Sequence, residues 1–92
     1  MNLSMENPKW LILVPTPMEH EFVSERVSIP EAVVEVCGFG PVVAAAKAME
    51  LIIQYQPSKV VLVGIAGALD PNILTGTAVV GSEVACFGIG AG

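Results

Sequence analysis

Three short apolar runs separated by helical segments constrain the fold of this chain more than any other feature. Residues 10–14, 32–37 and 60–63 are almost continuously apolar, whereas a strand with one solvated face would alternate apolar and polar residues. Such runs are typical of parallel strands covered on both faces, with the intervening helices as crossovers. The sequence therefore predicts a three-layer α/β fold, a mostly parallel sheet flanked by helices, in a single domain over residues 1–92.

The first helix has a complete start signal directly after the first apolar run. Thr16 occupies the N-cap position, Pro17 the first helical position, and Glu19 the position three residues after the cap, which is the spacing of a capping box. We expect a helix over residues 17–27, which Pro30 prevents from continuing. Its expected inner face consists of Met18, Phe22 and Val23.

A second helix is expected after the glycine-rich turn at residues 38–40, with Pro41 at its first position and residues 56–58 at its end. Apolar residues repeat along it at helical spacing. They form the predicted inner stripe: Val42, Ala45, Ala46, Met49, Ile52 and Ile53. A last strand is expected over residues 77–85, after the turn at residues 64–67 and a loop at residues 70–72.

The balance of apolar and charged residues indicates an apolar surface that a binding partner would cover. Hydrophobic residues make up 53% of the 92 residues and charged residues only 14%, which suits a buried layer of a larger α/β protein better than a small independent domain. Exposed strand edges tend to pair with another copy. We therefore expect a homo-oligomer.

The charge distribution excludes several other partners. A net charge of −5 without any cluster of basic residues disfavours nucleic acid. The apolar run at residues 60–69 is too short to span a membrane, and Glu6 and Lys9 precede the first apolar run in an order unlike a signal peptide. These features predict a soluble cytoplasmic protein, with Cys37 and Cys86 as small buried hydrophobic residues.

Three titratable residues follow the first strand at the edge where open α/β sheets place their ligands: Glu19, His20 and Glu21. The capping box gives Glu19 a structural role. Glu21 has no capping role and is either a solvated helix charge or a catalytic carboxylate. His20 has no second histidine or cysteine at ligand spacing, so we expect no metal site.

No cofactor is expected from the glycine-rich turns. The turn at residues 38–40 lacks the third glycine of a dinucleotide fingerprint and the Gly-Lys ending of a P-loop. Residues 88–92 resemble a dinucleotide loop, but no helix follows them.

Three stretches together resemble the nucleoside phosphorylase and nucleosidase superfamily. Residues 11–21 (LILVPTPMEHE) are similar to the opening strand and Met-Glu-x-Glu segment of methylthioadenosine nucleosidases. Residues 37–46 (CGFGPVVAAA) are similar to the turn and helix of futalosine hydrolases, the closest resemblance. Residues 63–69 (VGIAGAL) and 76–84 (GTAVVGSEV) are similar to the Gly-Ile-x-Gly turn of the superfamily and the strand after it.

The resemblance implies a function in purine nucleoside metabolism and a set of site residues. Glu21 matches the glutamate that acts as acid/base and activates the attacking water in the hydrolases. The matching turn lies along the ribose and base pocket, and here it consists of Gly64, Ile65, Ala66 and Gly67. Phosphorylases of the superfamily carry a phosphate-binding arginine just before this turn, where this chain has Leu62 and Val63, so water is the expected nucleophile.

Departures from the superfamily pattern limit the expected activity. Residues 27–30 replace an inserted hairpin, Gly88 stands where futalosine hydrolases have an acidic residue, and the C-terminal part with the ribose-binding glutamate and the proton-donating aspartate is missing from the 92 residues. Loss of an acid/base group alone typically costs about 10² to 10⁴ in rate.

Three hypotheses follow. The chain is a futalosine hydrolase-like or purine nucleosidase-like module, nearly inactive alone; or a non-enzymatic remnant that self-assembles or binds a nucleoside; or a sequence that stops at Gly92 inside a longer protein.

Overall fold

The computed structural model describes residues 7–85, in which three parallel strands alternate with two α-helices. The strands are β1 (Trp10–Val14), β2 (Ala32–Val36) and β3 (Lys59–Leu62), and the helices are α1 (Pro17–Arg26) and α2 (Pro41–Tyr55). The α/β class predicted from the apolar runs is confirmed. The apolar runs that predicted β2 and β3 each extend one residue beyond the observed strand. These two residues, Cys37 and Val63, donate the last backbone hydrogen bonds to β1, and the chain leaves the sheet after them.

The strand order is β2-β1-β3, so the first strand lies in the centre of the sheet. In the two parallel ladders, Trp10 pairs with Ala32 on one side and with Lys59 on the other. The central position agrees with the composition of β1, whose residues 11–14 are all buried. By contrast, all four residues of β3 are exposed.

The strand order places the two helices on opposite faces of the sheet. The chain moves from β1 to β2 in one direction and from β2 across β1 to β3 in the other, and right-handed crossovers in opposite directions lie on opposite faces. On the α2 face, Leu11, Leu13 and Cys37 pack with Leu51 to form the hydrophobic core. The prediction that Cys37 is a buried core residue is confirmed, whereas Cys86 lies outside the described residues.

The face of α2 that packs against the sheet differs from the predicted stripe except at Ile52, which does pack against the core. Leu51 is its one buried residue, and Val42, Met49 and Ile53 are more than half exposed. The error arose because α2 is apolar around most of its circumference, so periodicity alone selected the wrong starting position. The residues that pack against the core are Ala44, Ala48, Leu51, Ile52 and Tyr55.

Helix α1 ends at Arg26, one residue before the predicted end, and it has no buried residue. Val23 is partly buried, but Met18 and Phe22 are 69% and 58% exposed, so their assignment to a packed inner face was wrong. Both side chains border an open cavity instead of the sheet.

The strand predicted over residues 77–85 is absent. These residues are exposed and have no regular secondary structure, and Thr77 N bonds to Leu74 O in a turn. A strand needs a neighbour that supplies ladder hydrogen bonds. Within residues 7–85 the outer edge of β3 has no such neighbour.

The turn between β2 and α2 requires a glycine at position 38. Gly38 has a φ of +84°, and a Cβ there would lie 2.7 Å from Val43 Cγ1. This residue therefore serves the backbone path into α2, which is a structural reason for glycine that needs no ligand. Across residues 7–85, no helix is long and apolar enough to cross a membrane.

Candidate functional site

A cavity of about 450 Å³ lies between α1 and the residues that follow β3. It sits beyond the carboxyl ends of β1 and β3. In the order β2-β1-β3, the chain leaves β1 toward β2, on the side away from β3, and open α/β sheets bind ligands in crevices beyond the carboxyl ends of their strands. The lining residues are Met18, Glu19, Phe22, Val23, Val63, Gly64 and Ile65.

The parallel ladder brings the two walls of the cavity together. Val63 N donates a 2.9 Å hydrogen bond to Leu13 O, so the chain leaves β3 beside the end of β1. Helix α1 starts three residues after β1, at Pro17. As a result, the first turns of α1 face the turn that begins at Gly64.

The N-cap of α1 fixes the position of the Glu19 side chain. Thr16 Oγ1 accepts a 3.3 Å hydrogen bond from Glu19 N, and the Thr16 hydroxyl donates a 2.8 Å bond to Glu19 Oε1. In a regular capping box the glutamate binds the N-cap backbone N–H; here it binds the hydroxyl. The predicted cap is confirmed with this change of partner.

The second carboxylate oxygen of Glu19 has no hydrogen-bond partner among residues 7–85. Oε2 is buried and receives no hydrogen bond within the described residues. It faces Gly64, where a Cβ would lie 3.5 Å from it, and Pro15 borders the same space. Buried carboxylate oxygens are normally hydrogen-bonded, so this oxygen is the most unusual polar atom of the site.

Glu21 lies on the outer side of α1, away from Gly64. It is exposed and borders a second, shallower concavity of about 260 Å³ together with Glu25 and Arg26. Met18 and Phe22 border both concavities. Glu21 is therefore at the rim of the site, separated from Glu19 by two apolar side chains.

Arg26 lies at the outer end of this rim, where it contacts Phe22 and Glu25. Its guanidinium lies 3.6 Å from the centre of the Phe22 ring, donates a 3.0 Å hydrogen bond to Phe22 O and is 3.7 Å from Glu25. These contacts restrain the ring between the two concavities. The surface pair with Glu25 adds little stability on its own.

His20 connects α1 to the sheet. Its Nε2 is 2.9 Å from Val34 O, and because a carbonyl can only accept, Nε2 carries the hydrogen. This contact gives His20 a structural role and directs it away from the cavity. No cluster of three potential metal-ligating side chains occurs among residues 7–85.

Two of the four residues of the predicted substrate-binding turn line the cavity, and the other two lie outside it. Gly64 and Ile65 line the cavity. Ala66 and Gly67 are exposed further along the chain, and a Cβ at Gly67 would meet nothing within 4 Å. The position of Gly64 next to Glu19 agrees with a close approach of backbone to a ligand, whereas the other two residues lie outside the cavity in this conformation.

Sequence patterns did not reveal that Glu19 and its apolar neighbours line the cavity. The capping signal accounted for Glu19 completely, and the spacing of Met18 and Phe22 indicated a packed helix face. The sequence signal that could have identified Glu19, Met18 and Phe22 is their position shortly after β1, the central strand. The ligand crevice of an open α/β sheet lies beyond the carboxyl ends of its strands.

These features define an α/β protein with an open cavity at the carboxyl edge of its parallel sheet. The family model of the Phosphorylase superfamily matches residues 11–92, and the chain belongs to this superfamily. No curated protein and no solved structure matches the chain. The superfamily resemblance of the β1, β2 and β3 segments is thus confirmed.

Proposed function

We propose that this protein hydrolyses the N-glycosidic bond of a purine nucleoside, in the manner of futalosine hydrolases and other purine nucleosidases. The observation that carries the proposal is the cavity beyond the carboxyl ends of β1 and β3, which has Glu19 on one wall and Gly64 and Ile65 on the other, while Glu21 borders the adjoining concavity. A ligand of nucleoside size suits a cavity of a few hundred Å³ lined mainly by apolar side chains. No cofactor takes part in the reaction.

In this proposal Glu21 is the acid/base that activates water. The carboxylate takes a proton from water, whose oxygen attacks the sugar carbon of the glycosidic bond. The departing purine takes the bonding electron pair and a proton from bulk water, and Glu21 then returns its proton to the solvent. The exposed position of Glu21 gives water direct access to it. The turn formed by Gly64, Ile65, Ala66 and Gly67 binds the nucleoside in this proposal, and the first two of these residues line the cavity.

Charge on the cavity wall supports water over phosphate as the nucleophile. Among the described residues that line the cavity, none is basic and one is a glutamate. A phosphate group would meet a negative charge without the arginine or lysine that normally binds it. Hydrolysis, which needs no bound anion, fits this wall better than phosphorolysis.

The test is release of free purine from methylthioadenosine and aminodeoxyfutalosine by a high concentration of the chain over long incubations. We expect slow release that inorganic phosphate does not accelerate. Glu21→Gln should lower the rate by about 10² to 10⁴, whereas Glu50→Gln, an exposed carboxylate on α2, should leave it unchanged. An unchanged rate in Glu21→Gln would remove Glu21 from the reaction, and release at the uncatalysed rate would reject the proposal.

A second proposed function is assembly without catalysis. It is supported by the unpaired edge of β3 within the described residues and by exposed apolar residues there, such as Leu62, which is 68% exposed. A second copy would cover this surface and form a homo-oligomer. Sedimentation of the chain at increasing concentration tests this idea, and a concentration-independent monomer would contradict it. The cytoplasmic location expected from the sequence stays a prediction.

A further inference from the structure

We infer that Glu19 is a base-recognition residue: its free carboxylate oxygen accepts a hydrogen bond from the amino group of a planar heteroaromatic ring bound in the cavity. The inference rests on the proposed function, because it names the part of the nucleoside that this cavity binds. It assigns to Glu19 a role beyond that of a helix cap. It also gives Glu19 and Glu21 different roles on the same helix.

The two oxygens of Glu19 have different environments. Oε1 accepts the hydrogen bond from Thr16, whereas Oε2 is buried without a partner. A cap alone would use one oxygen and leave the other in water. Burial of an unpaired carboxylate oxygen is unfavourable, and a ligand that donates a hydrogen bond to it removes this cost.

The rest of the cavity wall selects an apolar, planar body for that ligand. Besides Glu19, the wall consists of five apolar side chains and the backbone of Gly64. Phe22 offers a ring face or edge for an aromatic partner. The absence of a lining cation disfavours anionic ligands, and the single acceptor favours a ring with an N–H donor.

Glu19 Oε2 can reach a ligand with a small movement. The last torsion angle of a glutamate side chain is broadly distributed, so the carboxylate can turn while Oε1 stays near Thr16. Gly64 has no side chain in the space next to Oε2, and a Cβ there would already lie 3.5 Å away. The glycine leaves space for about one carbon-sized group next to Oε2, so the amino group of the ring, and not the ring itself, enters this space.

The same arrangement orients the nucleoside. A base whose amino group lies next to Glu19 Oε2 and Gly64 directs its sugar outward, past Met18 and Phe22, which border both concavities. The sugar carbon of the glycosidic bond then lies toward the rim, where Glu21 and water are. Recognition of the base and activation of water would thus occur on opposite sides of two apolar side chains.

The experiment is a thermodynamic cycle with two nucleosides that differ only in the amino group of the base, adenosine and purine riboside. Binding is measured by titration calorimetry with the full chain carrying Glu21→Gln, so that hydrolysis does not interfere, and again with Glu19→Gln added. Glutamine keeps an oxygen for the Thr16 hydroxyl but presents an amide N–H where the ligand needs an acceptor. The melting temperature of each variant reports on the fold.

We expect Glu19→Gln to weaken adenosine binding by about 10- to 100-fold, the range for a hydrogen bond to a charged group, and to leave purine riboside binding unchanged. Glu50→Gln should change neither. Equal losses for both nucleosides, no loss for adenosine, or no detectable binding of either would overturn the inference. If the unaltered chain hydrolyses nucleosides but Glu19→Gln weakens binding of both nucleosides equally, base recognition by Glu19 is rejected and the proposed function stands. If Glu19→Gln weakens only adenosine binding but the unaltered chain does not hydrolyse nucleosides, base recognition stands and the proposed function is rejected.

Discussion

The hydroxyl group of Tyr55 donates a hydrogen bond to Glu35 Oε2 and so connects the last turn of α2 to β2. Glu35 lies between Val33 and Cys37 on the face of the sheet that packs against α2. A carboxylate on this face needs a donor, and the tyrosine supplies one. An inward-pointing charge on an edge strand also discourages a further strand from pairing there, which distinguishes the β2 edge from the β3 edge.

The first prediction concerns the ionisation of Tyr55. The hydrogen bond to Glu35, together with burial and the negative charge of Glu35, raises the pKa of Tyr55 from 10.0 to about 12. Tyr55 is the one tyrosine of the chain, so the tyrosinate absorbance reports on it alone. We expect a titration midpoint near pH 12 in the folded protein, and a lower midpoint in Glu35→Gln. A midpoint near 10.0 in the folded chain would contradict the hydrogen bond.

The same shift predicts a loss of stability at alkaline pH. Because the pKa of Tyr55 is higher in the folded than in the unfolded state, its stabilising effect is complete below pH 10 and is lost as the pH rises from 10 to 12. For this partly buried group we expect a decrease of roughly 1 to 2 kcal/mol in the free energy of unfolding. Urea unfolding followed by circular dichroism at several pH values measures it, and Tyr55→Phe should lack this pH dependence.

A further prediction concerns the cap of α1. Thr16→Val removes the acceptor for Glu19 N and the donor to Glu19 Oε1, and loss of an N-cap side chain costs about 1 kcal/mol. Thr16→Ser keeps the hydroxyl and should be close to the unaltered chain. The urea midpoints of the two variants test this, and equal midpoints would show that the cap contributes nothing.

Gly38 gives a prediction about packing at the start of α2. Gly38→Ala places a methyl group 2.7 Å from Val43 Cγ1 in a backbone conformation with a φ of +84°, so we expect a loss of roughly 1 to 3 kcal/mol. Gly40 has a similar φ of +89° but open space around it, and Gly40→Ala isolates the backbone cost. Adding Val43→Ala should recover stability in Gly38→Ala but not in Gly40→Ala. Thermal unfolding of the four variants decides this.

The unpaired edge of β3 leads to a prediction about self-association. Leu62→Lys introduces a charge at an exposed apolar position of that edge, which should shift the equilibrium toward monomer. Gln54→Lys, on the exposed side of α2, adds the same charge elsewhere and should have no effect. Analytical ultracentrifugation compares the two, and an identical distribution of species would exclude the β3 edge as the contact.

Local signals predicted the elements that depend on neighbouring residues. Thr16 and Pro17 marked the start of α1, and the apolar runs around Leu11, Val33 and Val61 marked the three strands, because caps and apolar strands are encoded within a few positions. The parallel arrangement followed from the same runs.

Features that depend on distant partners were not predictable in the same way. The inner face of α2 was misassigned because Val42 and Ala44 are both apolar, and only contact with Leu11 and Leu13 on the sheet selects one. The prediction of a strand over residues 77–85 was wrong because a strand forms only beside another strand. The cavity role of Glu19 was missed because its second oxygen becomes notable only when Gly64 covers it.

At the opposite end of the sheet from the cavity, Lys59 Nζ lies 4.7 Å from the centre of the Trp10 ring, and the two residues are ladder partners in β1 and β3. Trp10 is the sole indole of the chain. Its emission spectrum is therefore a built-in optical reporter of whether these two strands remain side by side. Separation of β1 and β3 on unfolding or on ligand addition can thus be followed without an attached dye.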